Sequence, residues 1–323
     1  MTSVAVIGAG MAGIALARRL GDKARVTLLE KATGVSGRMA VRRSSGFEFD
    51  HGAQYFTARG EAFRQFLQQH IDSRLLMDWQ PKVVTLEPGG KTYKRIWYEP
   101  HWIASPGMNN LGKALSQGLD IRLEQQVTAL HRCNNQWRLE TLAGQHPELF
   151  DWVVSTAPAP QSALLLPSCF QAYDRLIDVK MSACYTLMLG YKSLDLPFGA
   201  AVVKQSTLGW IANNSSKPGR SEAPTLVVQS TAAWADNHLQ YSLPDVEDSL
   251  KAELALLLPG LPQPVHSDLQ RWRYASTTIP ANQDYLLDER NRLAACGDWC
   301  RNNRVEEAFN SANALVAAMR KLV

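Results

Sequence analysis

Cysteine and long apolar runs are scarce in this sequence. The cysteines are odd in number and scattered, which argues against a disulfide framework and for reduced thiols in a cytoplasm; they are Cys133, Cys169, Cys184, Cys296 and Cys300. None is spaced with histidines as metal ligands are, so we expect no metal site. No apolar run reaches the ~18 residues of a membrane helix. A first strand that starts at Val4 leaves no room for a signal peptide.

Charge of one sign is not concentrated in any stretch. The 34 basic and 30 acidic residues give a formal net charge of +4, and without a Lys/Arg run we expect neither nucleic acid nor a membrane as a partner. No Ser/His/Asp or Cys/His pattern of a nucleophilic enzyme occurs. With 323 residues, 46% of them hydrophobic, the chain is long enough to bury a large core in two domains.

The most specific pattern lies in the first thirty residues. Val4 to Ile7 reads as a buried strand, and a helical stretch ends near Leu20. Between them stands a GxGxxG loop, in which the first glycine makes a tight turn, the second lets a pyrophosphate approach the backbone and the third packs helix on strand. The helix amides face the anion. The predicted cofactor contacts here are Gly8, Gly10, Met11, Ala12 and Gly13.

The next strand adds an acidic residue at the expected place. Arg25 to Leu29 reads as a second buried parallel strand, and Glu30 at its end can accept hydrogen bonds from the ribose hydroxyls of an adenosine, with Lys31 beside it. A purely structural glycine turn is the alternative, but the strand-helix-strand context favours a dinucleotide. Arg38 follows a further small-residue turn and can neutralise the pyrophosphate.

Together these residues resemble the FAD-binding amine oxidase superfamily, in which a Gly-Gly-Arg segment follows the acidic ribose ligand. Ser36 replaces the first glycine of that pair. Asp50 to Phe56 is similar to the superfamily's D-x-G-A-x-x-F segment, and the resemblance implies that Gln54 and Tyr55 lie beside the isoalloxazine ring. It also implies that Val127 presents its backbone to the adenine. For Tyr55, an ordinary core aromatic is the alternative.

The end of the chain resembles the superfamily's C-terminal flavin signature, with Gly297-Asp298, Val305-Glu306 and Ala308 in order. Asp298 can bond ribityl hydroxyls, and amides at the start of a helix near Val305 can stabilise negative charge on the reduced ring. A helix cap without a ligand explains Glu306 equally well when it is taken alone. Both ends of one cofactor, FAD bound noncovalently, are accounted for by the two motifs.

The middle of the chain predicts a second domain. A strand over 79–86, further short strands between residues 187 and 274 and a helix from Asp245 to Leu258 predict a mostly antiparallel sheet with helices. We therefore predict an α/β protein with a Rossmann-type FAD-binding domain of the p-hydroxybenzoate hydroxylase and amine oxidase kind. The predicted FAD-binding domain comprises 1–75, 105–165 and 285–323, and the predicted substrate domain comprises 76–104 and 166–284.

Within the superfamily, three stretches look like those of the renalase group: Asp50 to Arg59, Arg271 to Ala275 and Cys296 to Cys300. This resemblance implies oxidation of the 1,2- and 1,6-dihydro isomers of NAD(P)H to NAD(P)+, with hydride transfer to flavin N5 and oxygen becoming hydrogen peroxide. No catalytic side chain beyond the flavin is then required. The candidate substrate contacts are Thr57, Arg59, Gln229, Trp272 and Arg273.

Two other functions stay open. An oxidase of a small amine would need a neutral amine framed by two facing aromatic rings, and the sequence does not place any of its aromatics in such a pair. A binding protein without redox chemistry, as in the GDP dissociation inhibitors on a similar scaffold, would lack a complete flavin site, whereas here both cofactor motifs are complete.

Overall fold

The structure of the protein is a computed structural model that describes residues 1–90 and 92–323. The helices of this part of the chain are α1 Met11–Leu20, α2 Glu61–Asp72, α3 Asn109–Leu115, α4 Ala159–Leu165, α5 Tyr173–Asp178, α6 Ala232–Asn237, α7 Leu243–Leu257 and α8 Val305–Met319. Among them, none combines the length and the apolar character that crossing a bilayer requires.

Apart from β1, the strands stand in runs of three to five between these helices. They are β1 Ser3–Ile7, β2 Arg25–Leu29, β3 Val41–Ser44, β4 Phe47–Asp50, β5 Leu76–Asp78, β6 Val83–Leu86, β7 Tyr93–Arg95, β8 Trp102–Ala104, β9 Asp120–Arg122, β10 Val127–Cys133, β11 Gln136–Thr141, β12 Gly144–Phe150, β13 Trp152–Ser155, β14 Lys180–Gly190, β15 Ala200–Val203, β16 Leu208–Asn213, β17 Thr225–Ser230, β18 His266–Ile279, β19 Leu286–Asp288 and β20 Leu293–Ala295.

The first sheet is the Rossmann-type sheet that the sequence predicts. Within the described residues its order is β19-β20-β13-β1-β2-β9, and all neighbours are parallel except β19 and β20. Strand β1 is buried along its whole length because α1 and α8 cover one face of the sheet and a second hydrophobic cluster covers the other. The carboxyl ends of β1, β2, β13 and β20 therefore meet at one edge, where ligands of such sheets bind.

The second sheet is mostly antiparallel, as predicted. Its order in the described part of the chain is β18-β14-β17-β16-β15-β6-β7, and β15 with β6 is a parallel pair. One face packs on α6 and α7. The other face packs on β4, where Phe49 contacts Met188 and Val227. This second face is turned toward the segment that follows β4. The predicted fold class, an α/β protein with a Rossmann-type sheet and a second, mostly antiparallel sheet, is confirmed.

The predicted strand over 79–86 is wrong in its first half. Strands β5 and β6 are separated by residues 79–82, which include Pro81, and proline has no amide to donate to a ladder. Strand β12 was not predicted, because its sequence GQHPELF is polar and contains a proline. The division of the chain into two domains at the boundaries given above stays a prediction.

Candidate active site

The glycine loop after β1 has the geometry of an anion site. Gly8 has φ +105, a backbone region in which a side chain is strained. A Cβ on Gly13 would overlap the Gly8 carbonyl oxygen, whereas a Cβ on Gly10 would meet no atom of the described residues within 4 Å except those of its chain neighbours. No side chain of the described residues caps the first turn of α1. The amides of that turn therefore remain available to an anion lying over Gly10.

Glu30 is fixed beside this loop. Its Oε2 accepts a hydrogen bond from the Ala9 amide at 2.8 Å, and its Oε1 accepts one from the Ala32 amide at 2.9 Å. The side chain is 7% exposed. Because each carboxylate oxygen can accept a second hydrogen bond, the residue can hold ribose hydroxyls while it keeps the loop in place. Lys31, the neighbouring predicted contact, is exposed.

The turn before Arg38 lies directly on the glycine loop. The Ser36 amide donates to the Ala9 carbonyl at 2.9 Å, and a Cβ on Gly37 would lie 3.3 Å from Gly10 Cα. Ser36, which stands where the superfamily has a glycine, has φ +94 and donates its hydroxyl to the Asn109 carbonyl at 2.9 Å. That hydrogen bond helps a serine hold a conformation that glycine adopts more easily.

Arg38 joins the two ends of the chain. Its guanidinium forms an ion pair with Asp298, and its Nη1 donates to the Ala275 carbonyl at 2.9 Å. The N-terminal and C-terminal motifs, which the sequence assigns to one cofactor, are therefore in direct contact although they are 260 residues apart. The sequence does not reveal this ion pair, because each residue was predicted to contact the cofactor separately.

The 50–57 segment lies between these motifs and the second sheet. The Ala53 amide donates to the Arg38 carbonyl at 2.9 Å, and a Cβ on Gly52 would overlap that same carbonyl oxygen. On the other side, Gln229 Nε2 donates to the Gly52 carbonyl at 2.9 Å, and Trp272 Nε1 donates to the His51 carbonyl at 2.8 Å. Of the three predicted substrate contacts on β17 and β18, Gln229 and Trp272 therefore touch this segment.

Aromatic side chains pack around Tyr55. Its ring centroid lies 5.0 Å from that of Trp97, 4.5 Å from that of His101 and 5.8 Å from that of Trp210. Trp97 and Trp210 face each other at 6.3 Å with an interplanar angle of 14°. In the part of the chain that the structure describes, the buried Trp210 Nε1 has no hydrogen-bond partner. The cluster is thus a packed corner that contains the unpaired Trp210 N–H.

A buried ionic cluster underlies the 50–57 segment, and sequence reasoning missed it. Asp50 Oδ2 lies 2.9 Å from Lys217 Nζ and 2.6 Å from Arg220 Nη2, and all three side chains are almost completely buried. Burial alone would raise the pKa of Asp50, but the two cations overcome this and hold it below its usual value. Burial lowers the pKa of Lys217 to about 8 although Asp50 opposes the shift.

The remaining predicted residues differ in exposure and pairing. Arg59 is exposed and paired with Glu99, with Nε to Oε2 at 2.8 Å, and Arg273 is exposed. Thr57 is half-buried. Val127, at the start of β10, is buried and pairs with Thr141. Val305 begins α8. Their roles stay predictions.

Glu306, from the C-terminal signature, performs a capping role. Its carboxylate accepts hydrogen bonds from the Arg59 amide at 3.0 Å and from the Gly60 amide, at the start of α2. The cap interpretation therefore describes its contacts, although the helix it caps is α2 and not its own.

Burial, together with the nearby Arg42, lowers the pKa of His51 to about 4 from its ordinary 6.5. Between these pH values His51 binds a proton in the unfolded chain but stays neutral in the folded protein. The free energy of unfolding therefore falls as the pH drops from 6.5 to about 4. We expect the free energy of unfolding to fall by about 3 kcal/mol more in the wild type than in His51→Asn over this window. Urea denaturation at stepped pH measures the difference. Equal acid sensitivity of the two proteins would show that His51 does not titrate in this way.

A glycine loop, a carboxylate after the second strand and a distant Gly-Asp, all meeting at one sheet edge, define a dinucleotide-binding flavoprotein fold. Family comparison agrees. The NAD(P)-binding Rossmann-like domain matches residues 6–70, and the flavin containing amine oxidoreductase family matches residues 97–319. Because the second match covers more than half of the chain, the protein belongs to the flavin-containing amine oxidoreductase family.

Individual relatives refine this placement. Renalase from Mus musculus is 25% identical over 347 aligned positions, which cover all of both chains. A crystal structure from Exiguobacterium sp. 255-15, provisionally assigned as a protoporphyrinogen oxidase, has a TM-score of 0.81 at 14% identity and covers 99% of each chain. Putrescine oxidase bound to putrescine has a TM-score of 0.71 at 11% identity, with 98% coverage of each chain. The protein is a renalase-like, flavin-dependent oxidoreductase.

FAD is the cofactor, and the residues at the sheet edge fit it. The uncapped turn of α1 and the open side of Gly10 suit a pyrophosphate, and Glu30 suits the ribose. Noncovalent binding is typical of the family. Burial raises the pKa of the nearby Cys300 thiol to about 12, so it supplies little of the thiolate that a covalent attachment needs.

Proposed function

We propose that this flavoprotein oxidises the 1,2- and 1,6-dihydro isomers of NAD(P)H to NAD(P)+, with oxygen as the acceptor. The observation that carries the proposal is the likeness to renalase along the whole of both chains. A cytoplasmic location belongs to the same proposal and rests on the scattered, odd-numbered cysteines.

The proposed reaction needs no catalytic side chain beyond the flavin. When bound, FAD would supply the hydride acceptor, and oxygen would take up the two electrons with two protons to become hydrogen peroxide. A dihydropyridine already carries a transferable hydride, so the protein's tasks are orientation and exclusion of water. In this proposal Trp272 and Gln229 form the wall on which the nicotinamide lies. Their polar groups bond the His51 and Gly52 carbonyls, which keeps the wall rigid.

In this proposal the part of the dinucleotide substrate beyond its nicotinamide lies at the edge of the site. Arg59 and Arg273 are the cations proposed for the substrate phosphates, and Thr57, two residues before Arg59, is a further proposed contact. Since Arg59 is paired with Glu99, a substrate phosphate would have to compete with that carboxylate. Water screens such an exposed pair, so the competition is not prohibitive.

Oxidation of a small amine is the second candidate. It is favoured by the facing rings of Trp97 and Trp210, because an amine oxidase needs two facing aromatic rings to frame a neutral amine. Against it, Tyr55 contacts both rings in the structure. The likeness to putrescine oxidase, at 11% identity, speaks only for the shared fold.

Steady-state product analysis separates the two candidates. We expect the FAD-loaded protein to convert either dihydronicotinamide isomer to NAD(P)+ with one hydrogen peroxide per turnover. Ordinary 1,4-NADH, putrescine and an arylamine, tested as controls at equal concentration, are expected to give no more peroxide than buffer. Peroxide from an amine, with none from either isomer, would replace this proposal by the amine oxidase.

A further inference from the structure

The loop of residues 214–220, here called the cation loop, connects the second sheet to the 50–57 segment. Its Lys217 is completely enclosed, with 0% of the side chain exposed, so it touches neither solvent nor a substrate. The loop also reaches β4 through Asn214, whose Nδ2 donates to the Glu48 carbonyl at 3.1 Å. The mechanism proposed above does not use this enclosed lysine.

Two cations from this loop converge on one carboxylate. Arg220 donates to Asp50 Oδ2 from Nε at 3.0 Å and from Nη2 at 2.6 Å, and its Nη1 donates to the Ala104 carbonyl at 2.7 Å. The other carboxylate oxygen of Asp50 accepts from the Met108 amide at 3.0 Å. Arg220 alone therefore neutralises Asp50, and Lys217 is not needed for charge balance.

What Lys217 adds is a hydrogen bond to Gln54. Its Nζ lies 3.2 Å from Gln54 Oε1, while Gln54 Nε2 donates to the carbonyls of Asp50, at 2.6 Å, and Gly52, at 3.1 Å. Gln54 thus closes the segment into a turn, and Lys217 fixes the orientation of its amide. The same Gly52 carbonyl accepts from Gln229, and Ala53 donates to the Arg38 carbonyl.

We propose that Lys217 is a positioning residue that acts through Gln54 to hold the 50–57 segment against the flavin site. The segment is the piece of chain that contacts Arg38 on one side and the β17–β18 wall on the other. A change in its turn therefore alters the environment of the bound flavin. The inference rests on the proposed function in one respect, which is that the flavin lies beside this segment. It does not depend on which substrate is oxidised.

Lys217→Met is the direct test. Since Arg220 still neutralises Asp50, the variant is expected to fold. We expect its visible flavin absorption and circular dichroism to change and its Kd for FAD to rise about tenfold, the order expected for one charge-assisted hydrogen bond. The matched control is Lys204→Met, which replaces an exposed lysine that directly follows β15 of the second sheet. It is expected to leave both readouts unchanged. All measurements use substrate-free protein, so their failure would leave the substrate proposal untouched.

The route through Gln54 has its own test. Gln54→Met is expected to reproduce the changes of Lys217→Met, and the double variant is expected to add nothing to either single change. If Lys217→Met fails to fold, Lys217→Gln, which removes the charge and keeps a polar side chain, takes its place in both arms and is expected to show the same changes. A Lys217→Met protein with a wild-type flavin spectrum and FAD affinity, or additive changes in the double variant, would overturn the proposal.

Discussion

Gly10→Ala is expected to fold like the wild type and to lose FAD. Gly10 has φ −81, which alanine adopts without strain, and within the described part of the chain the new Cβ would meet only its chain neighbours within 4 Å. The methyl group would instead occupy the space above the loop where the pyrophosphate approaches the backbone. We expect the Kd for FAD to rise roughly a hundredfold, about 2.7 kcal/mol, while the thermal unfolding of the apoprotein stays unchanged. Titration of apoprotein with FAD measures the Kd.

Gly13→Ala is the matched variant in the same loop. Its Cβ would overlap the Gly8 carbonyl oxygen and lie 3.0 Å from Thr156 Oγ1. Forcing a methyl group into such a packed site costs typically about 1 to 3 kcal/mol, so this variant is expected to lose stability of the apoprotein itself. If Gly10→Ala bound FAD with wild-type affinity, the pyrophosphate would not pass over Gly10, and the assignment of the loop would be wrong.

Glu30→Ala is expected to weaken FAD binding by roughly ten- to a hundredfold. Each hydrogen bond to a charged group contributes about 1.5 to 3 kcal/mol, and the carboxylate also orders the loop through the amides of Ala9 and Ala32. Turnover per bound flavin is expected to stay near wild type, because the ribose lies far from the reacting ring. Gel filtration followed by the ratio of flavin to protein absorbance measures retention.

Glu30→Gln is the control for this experiment. The amide keeps one acceptor oxygen for the loop and a polar group for the ribose. The Kd of this variant for FAD is therefore expected to lie between that of the wild type and that of Glu30→Ala. Full retention of flavin by Glu30→Ala through gel filtration would remove Glu30 from the site.

Local patterns explain why the first thirty residues could be predicted. Strand β1, the glycine loop, α1 and β2 lie in one continuous stretch of chain. The sequence predicts a separate reason for each glycine, and the structure shows the predicted tight turn at Gly8 and the predicted close packing at Gly13. The C-terminal motif was predictable for the same reason. The edge of the parallel sheet then brings the two motifs together, which follows from strand order alone.

Long-range pairing explains what the sequence did not reveal. Lys217 and Arg220 lie in a short polar loop that reads as a turn, and their partner Asp50 is more than 160 residues away. Nothing local distinguishes a lysine destined for complete burial from an exposed one. Likewise β14 begins before residue 187 and β18 ends after residue 274, outside the range in which the sequence predicts short strands, because the two strands pair with each other along most of their length.

The central claim is that a dihydronicotinamide isomer delivers its hydride to the flavin of this protein. Anaerobic stopped-flow mixing tests it most directly, because loss of the visible flavin band reports the transfer without any contribution from oxygen. The account predicts rapid bleaching by 1,2- or 1,6-dihydro-NAD(P) and a stable flavin band with 1,4-NADH and with putrescine. Rapid bleaching by an amine, and none by any dihydronicotinamide isomer, would contradict it.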